Sequence, residues 1–180
     1  MLWNDMHFPS PHEARPTMEI PKTMERGTRI VLEKPVFQPC LQMIADSQRS
    51  GTLKDDTYTA IPWLVGLKRG DALKEDKNTI LVTERGLYFV YGQVYYMDKT
   101  FAMGHVINHI KQENVGNQPQ IIPLFRCIQN MNQDYPYNTC YTAGVVMLEA
   151  GDRVELLIPR QTANISLSGE DTFFGIMGLL

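Results

Sequence analysis

The sequence predicts an all-β domain, a sandwich or barrel of short strands, that begins near Cys40 and runs to Leu180. Short runs in which apolar and polar residues alternate recur along this region, and Gly, Asp, Asn and Pro separate them. The runs are rich in β-branched and aromatic residues, which are enriched in strands. Many short strands with turn residues between them are typical of all-β sandwiches and barrels.

The alternating runs place the strands in chain order. The segment 68–78 is polar and is expected to connect two of them. Residues 99–111 could also be read as a helix, but their β-branched and aromatic residues alternate, which favours a strand. The predicted strands are residues 41–46, 57–67, 79–82, 86–97, 102–110, 121–130, 141–149, 153–159, 164–167 and 172–180.

Residues 1–39 have the pattern of a leader in front of the domain formed by residues 40–180. Prolines at positions 9, 11, 16, 21, 35 and 39 interrupt the segment, so neither a long helix nor a central strand fits it. We expect disorder there, with at most an edge strand at 28–32. The first residues lack the basic-then-apolar pattern of a signal peptide. The sequence contains no run of about 18 apolar residues, so it predicts no membrane-spanning helix.

Charge and residue spacing argue against several function classes. The formal net charge is -3 and no basic block occurs, so nonspecific nucleic-acid binding is not expected. His105 with Cys127 or Asp98 could be offered as a catalytic pair, but no nucleophile elbow accompanies them. The four histidines show no ligand spacing with the cysteines. The sequence therefore predicts no enzyme, small-molecule substrate, cofactor or metal.

The three cysteines leave the redox state open. Cys127 and Cys140 flank a polar loop between two apolar runs, a pattern that reads as a hairpin whose end a disulfide could close. A reducing compartment would leave three thiols, whereas an oxidising one would give one bridge and a spare Cys40. A bridge over a loop of this size would stabilise the fold by about 3 kcal/mol.

The run 86–96 is apolar on both faces. Residues 87, 89, 91, 93 and 95 form one face and residues 88, 90, 92, 94 and 96 the other, and the C-terminal run 172–180 is similarly apolar. A sandwich buries only the inner face of each sheet, so the second face needs another cover. A subunit interface is the simplest cover. A helix or the leader folded over the sheet is the alternative.

The run Ile80–Val94 resembles the central pattern of the tumour necrosis factor ligand family. That pattern is an aliphatic strand, three residues, Gly, an apolar residue, Tyr, two apolar residues and then Gln. Thr172-Phe173-Phe174-Gly175 resembles the last strand of the family. Collinear matches extend the resemblance over Cys40 to Leu180 and narrow it to one branch; they lie at 40–47, 62–64, 68–70, 91–94, 98–100, 102–105, 124–130 and 158–160.

The resemblance implies a jelly-roll β-sandwich of two antiparallel sheets that assembles as a homotrimer. It implies an extracellular cytokine that clusters receptors with cysteine-rich ectodomains on B lymphocytes and promotes survival and the immune response. Precursors in the family are type II membrane proteins, and no anchor is recognised in this sequence. A trimeric complement-type jelly-roll recognition module is the alternative; the pairs Arg126 with Ile128 and Pro159 with Arg160 favour the cytokine.

The resemblance also assigns roles to individual residues. It implies a Cys127–Cys140 disulfide, a trimer interface, and a receptor pocket in which apolar groups bury a hairpin and arginines pair with an acidic residue. Without the resemblance, Ile128 would read as core and the arginines as solvated. The interface residues are Phe89, Tyr91, Gln93, Phe173 and Met177; the pocket residues are Tyr58, Phe101, Val106, Arg126, Ile128, Pro159 and Arg160.

Two further observations bear on specificity and modification. Phe101 and Val106 stand where the branch tends to have Tyr and Leu, so the preferred receptor is left open. Asn164-Ile165-Ser166 is an N-glycosylation sequon. Asn138-Thr139-Cys140 has Cys in its third position and is a weaker acceptor.

Overall fold

The computed structural model describes residues 37–49, 52–54 and 57–179. Residues 1–36 of the leader lie outside these ranges, so the expected disorder there and the possible edge strand at 28–32 fall outside the described residues. The described ranges contain twelve strands. No helix in them is long and apolar enough to cross a membrane. The strands are β1 (Cys40–Ala45), β2 (Thr52–Lys54), β3 (Tyr58–Ala60), β4 (Trp63–Arg69), β5 (Leu73–Asp76), β6 (Thr79–Val82), β7 (Gly86–Tyr96), β8 (Ala102–Val115), β9 (Gln118–Asn130), β10 (Asn138–Leu148), β11 (Arg153–Ile158) and β12 (Phe173–Leu179).

The strands form two antiparallel sheets, which confirms the predicted all-β sandwich. The five-strand sheet has the order β10-β7-β12-β1-β4. In the seven-strand sheet, β11 pairs with β8 on one edge and with β6 and β3 on the other. Beyond these, β9 pairs with β8, β5 with β6 and β2 with β3. In the five-strand sheet, the first strand of the domain, β1, pairs with its last strand, β12, so the two ends of the domain meet there.

The core lies between the sheets and is built from alternate residues of the strands. Trp63 of β4 and Phe174 of β12 are buried, with ring centroids 5.0 Å apart. Tyr88, Val90 and Val94 of β7 are buried, so the face of β7 that carries the even-numbered residues packs on the core. Complete burial of a side chain of this size contributes about 1.5–3 kcal/mol, so this face of the sheet supplies much of the fold's stability.

Several strand ends differ from the predicted ones, and two of the predicted strands do not form as predicted. The predicted strand 57–67 is divided at Pro62, which lacks a backbone N–H for a ladder, into β3 and β4. These two strands belong to different sheets. The predicted strand 164–167 is not a strand and makes one isolated bridge, between Tyr96 and Ile165.

The polar segment 68–78 contains a strand that the sequence pattern did not reveal. β5 pairs with β6 through a tight turn in which Lys77 has φ 58° and Thr79 Oγ1 donates to the Asp76 carbonyl oxygen at 2.8 Å. β5 lies at the edge of the seven-strand sheet, where Lys74 and Glu75 are exposed and Leu73 is buried. A mostly solvated strand has no long apolar alternation to detect.

The predicted hairpin of β9 and β10 does not form, although the predicted disulfide does. β9 pairs with β8, and β10 pairs with β7 in the other sheet. The Cys127–Cys140 disulfide, with its Cα atoms 6.0 Å apart, therefore joins the edge of one sheet to the edge of the other. The bridge closes this side of the sandwich, where the loop between the strands crosses from sheet to sheet. Cys40 is a free thiol.

Candidate functional site

Strand β9 projects two of the predicted pocket residues outward. Cys127 points into the core and is 8% exposed, so its neighbours Arg126 and Ile128 point to the solvent. Ile128 is 66% exposed, which rules out its alternative reading as a core residue. Its partner on β8 is Gly104, where a Cβ atom would collide with the Cys127 carbonyl oxygen. Glycine thus permits the close approach of β8 and β9 at this point.

Two adjoining pockets lie beside these side chains. The first, here called the arginine pocket, has a volume of about 180 Å³ and is lined by residues 102–105, 126–128 and 159–160. The second, the tyrosine pocket, has a volume of about 210 Å³. Arg126 and Pro159 line both, so the two pockets form one continuous depression. The tyrosine pocket is lined by Tyr58, Val106, Asn108, Ile121, Pro123, Arg126, Glu155, Leu157 and Pro159.

Six of the seven predicted pocket residues line this depression. Arg126 and Pro159 are shared, Ile128 and Arg160 belong to the arginine pocket, and Tyr58 and Val106 belong to the tyrosine pocket. Phe101 lines neither pocket; it is 73% exposed and stands one residue before the strand β8. Strands β3, β8, β9 and β11 therefore bring together residues that are far apart in the sequence.

The floor of the tyrosine pocket is apolar and separate from the main core. Val106, Leu157 and Ala60 are about 5% exposed or less and form a small cluster of their own. Tyr58 packs against this cluster. The depression thus has an apolar floor and a cationic rim, since Arg126 and Arg160 are exposed.

Hydrogen bonds fix the loop that carries Arg160. The Thr59 hydroxyl donates to the Arg160 carbonyl oxygen at 2.6 Å and accepts from the Ala163 N–H at 3.2 Å. The Arg160 Nη2 donates to the Ala102 carbonyl oxygen at 3.3 Å. Thr59 supports the site but carries no pattern in the sequence that distinguishes it from any strand threonine.

Asp98 is a second supporting residue that sequence reasoning missed. Burial alone would raise the pKa of its carboxyl, but the Asn164 N–H, the Thr100 hydroxyl and N–H, and the positive charge of Arg160 outweigh burial and hold that pKa below its usual value. The carboxylate is therefore ionised and attracts Arg160. The Asp98-x-Thr100 spacing is a signal that could have identified it, since Asp side chains often bond the backbone two residues on.

The disulfide lies directly beneath the arginine pocket, against a buried histidine. His105 is fully buried, and its Nδ1 lies 3.5 Å from the Tyr96 hydroxyl. Its Nε2 has no hydrogen-bond partner among the described residues. Burial lowers the pKa of His105 to about 4, so the imidazole is neutral at physiological pH.

The pairing of β8 with β9 groups His105 with the two cysteines, which their sequence spacing does not suggest. The ligand atoms of His105, Cys127 and Cys140 lie within 4.8 Å of one another. Both sulfurs are bonded to each other, however, and metals bind the thiolate form. In the oxidised protein the group is a structural disulfide packed against an imidazole.

The outer face of the five-strand sheet groups all five predicted interface residues. On β7, Phe89, Tyr91 and Gln93 point to this face, and on β12 Met177 pairs with Phe89 and Phe173 with Gln93. The ring centroids of Phe89 and Tyr91 are 5.8 Å apart, and those of Tyr91 and Phe173 are 6.4 Å apart. The Tyr91 hydroxyl donates to Gln42 Oε1 at 2.7 Å, and burial raises the pKa of Tyr91 to about 12.

Strand β10 extends this face with residues that the sequence analysis did not single out. Tyr141, Val145 and Met147 are 53%, 52% and 51% exposed. Tyr141 pairs with Gln93 and Val145 with Phe89. The signal that could have identified them is their odd-numbered position in the run, opposite in facing to the buried Cys140 and Leu148. The result is an apolar face that spans three neighbouring strands.

A further pocket, of about 280 Å³, lies beside the half of β8 that leads into the β8–β9 turn, and it contains none of the predicted site residues. Its polar groups bond to one another. His109 Nε2 lies 2.7 Å from Asp152 Oδ2, and Asp152 also accepts from the Gln112 and Glu149 N–H groups. These contacts hold the second half of β8 to the loop before β11, which is a structural role.

Comparisons with known proteins agree with this geometry. The model of the TNF (Tumour Necrosis Factor) family matches residues 66–179. Human tumor necrosis factor ligand superfamily member 13B is 52% identical over 148 residues, which are 82% of this chain and 52% of that protein. Human member 13 is 38% identical over 133 residues, which are 72% of this chain and 51% of that protein.

Solved structures give the same result. The crystal structure of murine APRIL at pH 5.0 superposes with a TM-score of 0.68 and 35% identity, over 79% of this chain and 100% of that one. This chain spans about half the length of the curated relatives it matches. Membership of a ligand family decides against the enzymatic alternative. The chain belongs to the tumour necrosis factor ligand family, in the branch that contains member 13B (BAFF) and APRIL.

Proposed function

We propose that this chain is the receptor-binding part of a trimeric, extracellular cytokine that binds and clusters receptors of the tumour necrosis factor receptor family on B lymphocytes, and so promotes their survival and the immune response. The observation that carries the proposal is the convergence of Arg126, Ile128, Pro159 and Arg160 on one depression. Residues 40–180 perform this function, and residues 1–39 are a leader to it.

The depression suits the tip of a small β-hairpin from a cysteine-rich module. The apolar floor of the tyrosine pocket can bury an apolar anchor, because Val106 and Leu157 present hydrocarbon and are themselves packed. The exposed guanidinium of Arg126 makes no hydrogen bond or ion pair within the described residues and can pair with a carboxylate of the hairpin. Charge-assisted pairs next to a buried apolar anchor are the usual centre of binding energy.

The apolar face of the five-strand sheet supports assembly into a trimer. Phe89, Tyr91, Met177 and Val145 lie side by side on it, and soluble monomers rarely expose a face of this kind. Further copies of the chain would cover it. A trimer carries three equivalent depressions, so each added receptor contact raises the avidity of the assembly without any new kind of contact.

The disulfide supports an extracellular location. Disulfides form and persist in oxidising compartments, and the Cys127–Cys140 bridge holds the strand that carries Arg126 and Ile128. The complement-type recognition module, which shares the jelly roll, is disfavoured because the chain matches ligands of the tumour necrosis factor family over most of its length.

The test is binding of the chain to a panel of receptor ectodomains from the tumour necrosis factor receptor family, with Arg160→Ala and a matched control. Arg85→Ala removes an exposed arginine paired with Glu149, away from the depression. We expect Arg160→Ala to weaken binding by about 2 kcal/mol, roughly 30-fold, and Arg85→Ala to have no effect. Unchanged binding by Arg160→Ala would remove the pocket assignment. If no ectodomain bound the unmutated chain, that result would favour the complement-type recognition module.

A further inference from the structure

The sequon at Asn164 lies beside the proposed receptor pocket. Asn164 is exposed, and its side chain lines an open groove together with Asp98, Lys99 and Tyr137. Its main chain is fixed, since its N–H donates to Asp98 Oδ2 at 3.0 Å and its carbonyl oxygen accepts from the Met97 N–H at 2.9 Å. Its side-chain amide makes no hydrogen bond to any described residue. The amide nitrogen is therefore free on a rigid backbone.

The second acceptor sequence of the chain differs in this respect. Asn138 Nδ2 donates to the Asn130 carbonyl oxygen at 2.9 Å, so its amide is already used by the fold. Cys140, the third residue of that sequence, is bonded to Cys127. The structure thus separates an available asparagine from an occupied one.

The groove beside Asn164 has a surface that suits a sugar. Tyr137 is 58% exposed, and its ring stacks on Tyr95 with the centroids 6.4 Å apart and the planes at 23°. The stack holds the Tyr137 ring as a flat apolar surface at the wall of the groove. The apolar face of a pyranose ring can pack on such a surface, and the exposed Lys99 can donate hydrogen bonds to sugar hydroxyls.

The groove adjoins the arginine pocket through one carboxylate. Asp98 accepts from Asn164 and at the same time attracts Arg160. A group attached to Asn164 therefore projects from the surface next to Arg160, which contacts the receptor in the proposed function.

We propose that Asn164 carries an N-linked glycan that lies along this groove and forms a wall at one side of the receptor pocket, so that it restricts which receptor modules dock. The donor is a lipid-linked oligosaccharide diphosphate. The Asn164 Nδ2–C1 bond forms, the bond from C1 to the phosphate oxygen breaks, the amide nitrogen loses one proton, and the lipid diphosphate leaves. The restriction of docking rests on the proposed function, whereas the modification itself needs only passage through the secretory pathway.

The modification is tested by secretion of the full chain from mammalian cells behind a cleavable signal. Unmutated chain, Asn164→Gln and Asn138→Gln are compared by mass before and after treatment with an endoglycosidase. We expect the mass of one glycan on the unmutated chain and on Asn138→Gln, and none on Asn164→Gln. An unmodified secreted chain would overturn the proposal. The Asp98 and Met97 hydrogen bonds use the main chain of Asn164, so the fold of Asn164→Gln is expected to be unchanged.

The effect on docking is tested with two probes of different size. Whole receptor ectodomains are expected to associate several-fold faster with Asn164→Gln, and with endoglycosidase-trimmed chain, than with the glycosylated chain. A short cyclic peptide of one receptor hairpin is expected to bind all forms equally, because it reaches the pocket without crossing the wall. Equal association of whole ectodomains with glycosylated and unglycosylated chain would overturn the restriction. Failure of every form to bind any probe would overturn the proposed function, whereas the mass comparison would still decide the modification.

Discussion

His105 and Cys127 face each other in register across β8 and β9, and Cys127 is bonded in turn to Cys140 on the opposite sheet. This arrangement places an imidazole and a disulfide under the pocket that Arg126 and Ile128 border. The same short stretch of β9 therefore connects the two sheets on its inner side and presents the proposed receptor contacts on its outer side.

The buried imidazole predicts that the fold loses stability in mild acid. The unfolded chain binds a proton on His105 below its ordinary pKa of 6.5, whereas the folded chain does so only near its lowered pKa of about 4. The stabilisation is complete above pH 6.5 and is lost as the pH falls toward 4. The loss amounts to about 3 kcal/mol by linkage. Urea unfolding at several pH values measures it.

The matched variant for this prediction is His105→Gln, which keeps a polar side chain of similar size and cannot be protonated. Carboxylates and the other histidines contribute equally to both proteins, so the difference between them isolates His105. We expect the variant to show a flatter dependence of unfolding free energy on pH between 6.5 and 4. The same dependence of unfolding free energy on pH in both proteins would show that His105 is not the group responsible.

Removal of the disulfide is expected to destabilise the fold and to loosen the pocket. The double variant Cys127→Ser with Cys140→Ser loses a link between the two sheet edges, and the chain-entropy model gives a loss of about 3 kcal/mol. Cys40→Ser is the control, because Cys40 is a free thiol. We expect a lower urea midpoint for the double variant alone. A midpoint equal to that of Cys40→Ser would show that the bridge adds no stability.

Local alternation predicted the strands well but could not predict which strands pair. β7 is the clearest case, because its burial alternates along the strand as the sequence suggests. The hairpin predicted from β9 and β10 failed for a physical reason: each strand already had a partner earlier in the chain, in a different sheet. Pairing between distant strands depends on burial across the whole sandwich, which no local pattern records.

The same limit applies to the candidate site. The resemblance to the family supplied Arg126, Ile128, Pro159 and Arg160, and the structure places them around one depression. Asp98 and Thr59 were missed because they act through hydrogen bonds to loops that are remote in sequence. Only the folded chain brings those groups together.

The apolar face predicts that a charge at its centre prevents assembly. Phe89→Glu introduces a carboxylate beside Tyr91 and opposite Met177 and Val145, and burial of an unpaired charge at an interface is costly. We expect sedimentation equilibrium to show a trimer for the unmutated chain and a monomer for the variant. Tyr135→Glu is the control, because Tyr135 is an exposed aromatic residue, 74% exposed, in the loop between β9 and β10. If Phe89→Glu keeps the mass of a trimer, the subunits associate through another surface.

Ile128→Ala separates binding from folding. Ile128 is 66% exposed, so its truncation removes few contacts within the chain, and a surface substitution of this kind changes stability by about 0.5 kcal/mol or less. Its side chain lines the arginine pocket, where a bound hairpin would bury it, and we expect a loss of receptor affinity of at least about tenfold. Phe101→Ala is the matched comparison, because Phe101 is equally exposed but lines neither pocket. Titration calorimetry with a receptor ectodomain and urea unfolding measure the two effects separately. If Ile128→Ala lowers stability but not affinity, the role of Ile128 is structural only. If Phe101→Ala lowers affinity more than Ile128→Ala does, the receptor contacts lie nearer the start of β8.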